Sequence, residues 1–144
     1  MRINEIMTPN PQSIGPDDTL AQAAAKMKEL NVGILPVCKN DRMVGILTDR
    51  DIVIRAVANG MDPDASVRTV MSRLVSFCFE DQDQEVAASM METNRIRRLP
   101  VLDHDENLVG IISLGDLAVR THHDRMALRV LEHISEADQL AVHA

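Results

Sequence analysis

Aromatic side chains are nearly missing from this sequence, which has no Trp, no Tyr and only Phe77 and Phe79. Any core must therefore be built from Val, Ile, Leu, Ala and Met, and a hydrophobic content of 45% supplies them. Positive charge is also scarce. Fifteen Lys and Arg against 22 Asp and Glu leave a net charge of −7, which argues against general attraction to nucleic acid or an anionic membrane. A local basic patch remains compatible with a phosphate. No apolar run approaches the roughly 20 residues needed to cross a bilayer. The start, Met1-Arg2-Ile3-Asn4-Glu5, lacks the basic and apolar regions of a secretory signal, so a cytoplasmic location is expected. Two cysteines in 144 residues are no disulfide framework. Cys38 and Cys78 both fall in predicted strands and read as buried, reduced thiols, with a bridge between them as the lesser alternative.

What is present is a repeat. Val44-Gly45-Ile46-Leu47-Thr48-Asp49-Arg50-Asp51 reads as a strand running straight into a helix. It returns as Val109-Gly110-Ile111-Ile112-Ser113-Leu114-Gly115-Asp116. A strand glycine marks a close backbone approach, and a hydroxyl three residues before a carboxylate suits a helix start. The correspondence extends along the chain. Met7-Thr8 matches Met71-Ser72, Ala23, Ala24 and Met27 match Ala87, Ala88 and Met91, and Leu35-Pro36-Val37 matches Leu99-Pro100-Val101. One extra residue in the second copy's turn, Asp103–Asn107, then brings Asp51 onto Asp116 and Arg55 onto Arg120.

Each copy reads as β-α-β-β-α. In the first, Gln12 to Ile14 is extended, and Thr19 with Gln22 caps a helix carrying Leu20, Ala23, Ala24, Met27 and Leu30. Gly33 stands where a C-terminal glycine belongs. Strands 34–38 and 43–47 follow, and then a helix whose apolar face is Ile52, Val53, Ala56 and Val57. Residues 61–65 form a linker. The second copy repeats the order, with a strand at 75–78, a helix at 83–94, strands at 98–102 and 108–112, and a helix from Ser113. Met126, Val130, Leu131 and Ile134 predict one more amphipathic helix. The expected fold is α/β (α+β), two motifs packed sheet to sheet about a pseudo-twofold, with boundaries 1–62, 63–121 and a C-terminal helix and tail at 122–144.

These features resemble the cystathionine-β-synthase (CBS) domain, which usually occurs as a tandem pair, the Bateman module. The resemblance covers about residues 1–120, and the run from Thr48 to Arg55 is especially similar to small stand-alone CBS pairs of bacteria and archaea. It implies a non-catalytic regulatory module whose clefts bind adenine nucleotides (AMP, ADP or ATP), and less commonly S-adenosylmethionine or dinucleotides. It also implies a homodimer, with a regulated protein partner as a further expectation, and no obligatory cofactor.

The chemistry of such a ligand points to particular residues. A phosphate suits free amides at a helix start reinforced by a hydroxyl, as at Thr48 and Ser113. A ribose diol suits a carboxylate, Asp51 or Asp116. The Ile14, Ile34, Cys78 and Ile96 regions are candidates to line a slot for the base. The resemblance also places a basic residue before Leu-Pro-Val on phosphate, here Arg98, where the first copy has Ile34. Arg50 is a further phosphate candidate, and Gly115 replaces it in the second copy. Strand alternation sends Arg97 and Arg98 to opposite faces, so at most one is expected in a given cleft.

Three other readings stand beside this one. In one, the Thr/Ser-x-x-Asp motifs serve only as caps in a ligand-free interaction or stress-response protein. No nucleophile–base pair or cluster of metal carboxylates supports an enzyme. His122, His123 and Asp124 read as solvated residues rather than metal ligands.

Overall fold

A computed structural model describes residues 1–73, 76–120 and 124–143. In chain order the elements are α1 (Ile3–Ile6), β1 (Thr8–Pro9), α2 (Leu20–Leu30), β2 (Ile34–Lys39), β3 (Arg42–Thr48), α3 (Asp49–Asp51) and β4 (Ser72–Arg73). There follow β5 (Cys78–Phe79), α4 (Gln84–Asn94), β6 (Arg98–Leu102), β7 (Leu108–Ser113), α5 (Leu114–Arg120) and α6 (Asp124–His143). They form two compact units, Gln12–Val75 and Met1–Pro11 with Ser76–Ala144. The first eleven residues thus pack with the second repeat.

In the unit Gln12–Val75 the sheet order is β2-β3-β4, all antiparallel. Lys39 pairs with Arg42 across Asn40 and Asp41, both at positive φ, the two-residue turn that matches strand twist. The expected strand at 12–14 contributes a single bridge, Ile14 to Val37. In the other unit the order is β1-β7-β6-β5. There β5 runs parallel to β6, at the place Ile14 occupies in the first repeat. Val75, expected to open that strand, lies outside the described residues.

Each sheet takes an edge strand from the segment preceding the other half of the repeat: β1 pairs with β7, and β4 with β3. The strand glycines make this possible. A Cβ on Gly45 would lie 2.7 Å from the carbonyl oxygen of Ser72, and one on Gly110 would collide with the Met7 sulfur. The close approach read from the sequence is therefore to the borrowed strand.

Helix α2 has the expected capping box. Thr19 Oγ1 accepts from Gln22 N–H at 3.1 Å, and Gln22 Oε1 accepts from Thr19 N–H at 2.8 Å. Gly33 does not end this helix. Asn31, at φ 54°, takes the left-handed position, as Arg95 does after α4 at φ 55°. Gly33 instead leaves room for the Asp49 carboxylate, which a Cβ there would meet at 2.9 Å. The helix after β3 also departs from expectation. After one α-turn it widens to a π-turn at Ile52–Ala56, tightens to a 3-10 turn at Val57–Asn59, and stops at Gly60, φ 69°. The wide turn rotates the following residues off the α-helical face. Ala56 is buried, but Val53 and Val57 are 57% and 68% exposed.

Each unit has its own apolar core. Leu20, Ala23, Met27, Leu35, Val37 and Leu47 fill one, and Ala87, Met91, Leu99, Val101, Ile112 and Leu117 fill the other. Met126, Val130 and Ile134 of α6 join the second core, as expected, whereas Leu131, read as part of the same face, is 42% exposed.

Candidate functional site

Both repeats place a hydroxyl and a carboxylate where the last strand turns into a helix. In the first, Thr48 Oγ1 accepts from Asp51 N–H and Asp51 Oδ2 accepts from Thr48 N–H, both at 3.0 Å. In the second, Ser113 Oγ accepts from Asp116 N–H at 3.0 Å and Asp116 Oδ2 accepts from Ser113 N–H at 2.9 Å. The capping boxes are formed. Each hydroxyl uses only an acceptor in its box, so its O–H proton is left for another acceptor. Each carboxylate, with about four lone-pair positions, keeps capacity for a diol. Capping and ligand binding are therefore compatible in the same pair of residues.

Two arginines hold these carboxylates from behind. Arg55 Nε lies 3.8 Å from Asp51 Oδ1, and Arg120 Nε lies 3.7 Å from Asp116 Oδ1. Arg55 Nη1 donates to the carbonyl of Val70 at 3.4 Å. Arg120 Nη1 donates to Ile6 and Met7 carbonyls at 3.1 Å. Val70 and Ile6 are equivalent repeat positions, each just before a borrowed strand. The sequence alignment pairs these arginines without showing this role. The i, i+4 spacing of Asp and Arg in both copies was the available signal.

Most amides at these helix starts already have partners. Asp49 N–H donates to the Gly33 carbonyl and Leu114 N–H to the Arg97 carbonyl, while Arg50 N–H donates to Asp49 Oδ1. An anion would thus meet hydroxyls and side-chain cations more than bare amides.

Strand register brings Arg98 opposite Ser113 and Ile34 opposite Thr48. Arg97 and Arg98, expected on opposite faces, both line one cavity of about 550 Å³ with Ser113 and Gly115. Alternation does not govern Arg97, which precedes the strand. Arg50 is exposed beside Asp51. Ile14 is not gathered with Thr48; it lines a separate hollow of about 340 Å³ with Asp18, Gln22 and Lys26. The Cys78 side chain sits inside the core, its sulfur 3.7 Å from the Pro100 carbonyl. Ile96 packs half-buried against that same core.

Both cysteines are free. Burial pushes the Cys78 thiol up to about 12 and raises that of Cys38 as well, so both stay protonated near neutrality. Among the described residues no three His, Cys, Asp or Glu side chains cluster as metal ligands. His122 and His123 lie outside the described residues. No described helix is long and apolar enough to cross a membrane.

The paired strand–hydroxyl–carboxylate–helix units define a tandem module, and the chain belongs to the CBS domain family, whose profile matches residues 3–57 and 62–122. It is 39% identical over 133 residues to the CBS domain-containing protein YhcV of Bacillus subtilis, covering 92% of this chain and 94% of that one. Among solved structures it is similar to Hypoxic Response Protein I with two coordinated zinc ions: TM-score 0.75, 34% identity, 82% of this chain and 97% of that one. CBSX2 in complex with AMP shares the fold at TM-score 0.74 and 23% identity, over 86% of this chain and 98% of that one.

Proposed function

We propose that this chain is a regulatory, non-catalytic module that binds adenine nucleotides at its hydroxyl–carboxylate pairs. The observation that carries this reading is the duplicated box, whose unused hydroxyl proton and carboxylate lone pairs match a phosphate and a ribose diol. Arg98, opposite Ser113, supplies the cation for the phosphate and makes the second repeat the stronger site. The first repeat has Arg50 for the same purpose and Ile34 where Arg98 stands. Support by analogy comes from CBSX2, which shares the fold and was solved with AMP. The exposed Val53, Ile54 and Val57 favour a homodimer, and a cytoplasmic location belongs to the same reading.

The test is thermal melting with AMP, ADP, ATP, S-adenosylmethionine and NAD. A ligand at 100 times its dissociation constant should stabilise by about 2.7 kcal/mol. Asp116→Asn keeps an oxygen for the Ser113 amide but removes the charge facing the diol, so the shift should shrink while the unliganded melt changes little. A flat response to every nucleotide would favour the alternative, an interaction protein whose motifs act only as caps.

A further inference from the structure

The segment between the repeats carries two arginines that have no counterpart in the other copy. At the shift of the repeat, Arg68 corresponds to Asn4 and Arg73 to Pro9. Both arginines line a cavity of about 640 Å³ with Met43, Val44 and Met71, all five within the unit Gln12–Val75. The cavity lies beside the start of β3, whereas Thr48 and its capping box stand at that strand's end. Val44 and Thr48 are four strand residues apart, roughly 13 Å. The cavity is therefore separate from the hydroxyl–carboxylate pair of its own repeat.

Both arginines are anchored through their backbone. Arg68 N–H donates to the Pro16 carbonyl at 2.9 Å, and Arg73 pairs with Gly45 in the sheet. Arg68 Nη2 also donates to Asp17 Oδ1 at 3.1 Å, which fixes one edge of its guanidinium and leaves its other N–H groups for a ligand. The Arg73 side chain is exposed, and among the described residues no hydrogen bond or ion pair engages it. Two guanidinium groups against one carboxylate leave a single positive charge in excess within this group. The remaining wall is apolar. Met43 and Met71 are half-buried, and Val44 is 37% exposed.

We infer that this cavity binds a small organic monocarboxylate with a short apolar body, its carboxylate on Arg73 and Arg68 and its body along Met43, Val44 and Met71. A guanidinium fork matches the two oxygens of a carboxylate. The single excess charge suits a monoanion better than a phosphate dianion. The two thioethers are flexible and polarisable, so they fit an apolar chain without a fixed shape, and that chain gains by leaving water. The volume falls within the usual range of small-ligand pockets.

Hexanoate, acetate and hexylamine titrated into the full chain test this, by calorimetry and by the methyl NMR signals of the methionines. Hexanoate should bind about tenfold or more tighter than acetate, because only it has a chain to bury. It should shift the Met43 and Met71 methyl signals, and hexylamine should not. Arg73→Gln and Arg68→Gln, both at exposed positions, should each weaken hexanoate about tenfold while leaving the melting temperature nearly unchanged. Equal affinity for hexanoate and acetate overturns the inference. So does hexylamine binding as well as hexanoate, or a hexanoate response that survives both arginine substitutions. AMP titrated into Arg73→Gln should behave as in the unaltered chain. A weakened AMP response there would assign the arginine to a nucleotide site and overturn the separate cavity.

Discussion

The two repeats share a strand order, a borrowed edge strand and a capping box to within 0.1 Å, yet differ in what covers their helices. In the second, α6 lies on α4 and α5, and Ala88 and Leu117 are fully buried. In the first, the matching Ala24 is exposed and Ile52 only half-buried, with Val53 and Ile54 open to solvent beside it. Duplication thus preserved the strand-to-helix machinery while the surroundings diverged. A box made of two reciprocal hydrogen bonds is locally determined. The fate of a helix face depends on whatever segment packs against it.

The largest expected effect probes that coverage. Leu117→Ala should cost about 2–5 kcal/mol in urea unfolding, as a buried leucine truncation does. Ile52→Ala, at the equivalent but half-buried position, should cost roughly 1–2 kcal/mol because less area returns to water. Equal costs would mean that the first repeat's helix face is covered in solution, as a homodimer would do.

Next come the strand glycines. Gly45→Ala drives its Cβ into the backbone oxygen of Ser72, whereas Gly110→Ala meets first the Met7 side chain, which can swing away. Both should destabilise by about 1–3 kcal/mol, with Gly45→Ala the costlier. The reverse order would show that the borrowed strand β1 is held more rigidly than β4.

The smallest effect concerns the turns. The second repeat's longer turn carries His104, whose Nε2 lies 2.8 Å from Asp81 Oδ2 and whose ring stacks on Phe79 at 4.7 Å. The hydrogen bond that His104 donates to the Asp81 carboxylate raises the His104 pKa and lowers that of Asp81. A histidine with a raised folded pKa stabilises fully below its unfolded value and loses that contribution as pH rises through the folded one. The aspartate's contribution is lost as pH falls through its lowered pKa. His104→Ala should therefore flatten the decline of melting temperature above about pH 6.5, slightly, since the pair is exposed. An unchanged decline would assign it to other groups.

Much of the fold was legible because the repeat is written in side-chain periodicity and turn residues. The β-α-β-β-α order, the Thr19 cap and the core positions Met126, Val130 and Ile134 follow from spacings within about a dozen residues, whereas Leu131, read with them, faces solvent. The misreadings have local causes too. Asn31 accepts the left-handed conformation that Gly33 was expected to supply, and a π-turn moved Val53 and Val57 off the buried face. Register alone places Arg98 opposite Ser113 and Ile34 opposite Thr48, but Ile14 and Cys78 went elsewhere, into a separate hollow and into the core.

Near-neighbour spacing is enough to encode the duplication, the elements and the paired hydroxyls and carboxylates. Packing of the whole chain is what makes residues 1–11 complete the second repeat's sheet, what lets Arg55 and Arg120 tie each carboxylate to the segment before a borrowed strand, and what sets α6 beside the cavity lined by Arg97 and Arg98. Each of these joins residues far apart in the chain. Hydrophobic burial is non-directional and does not name its partner, so such pairings emerge only when the whole chain has packed.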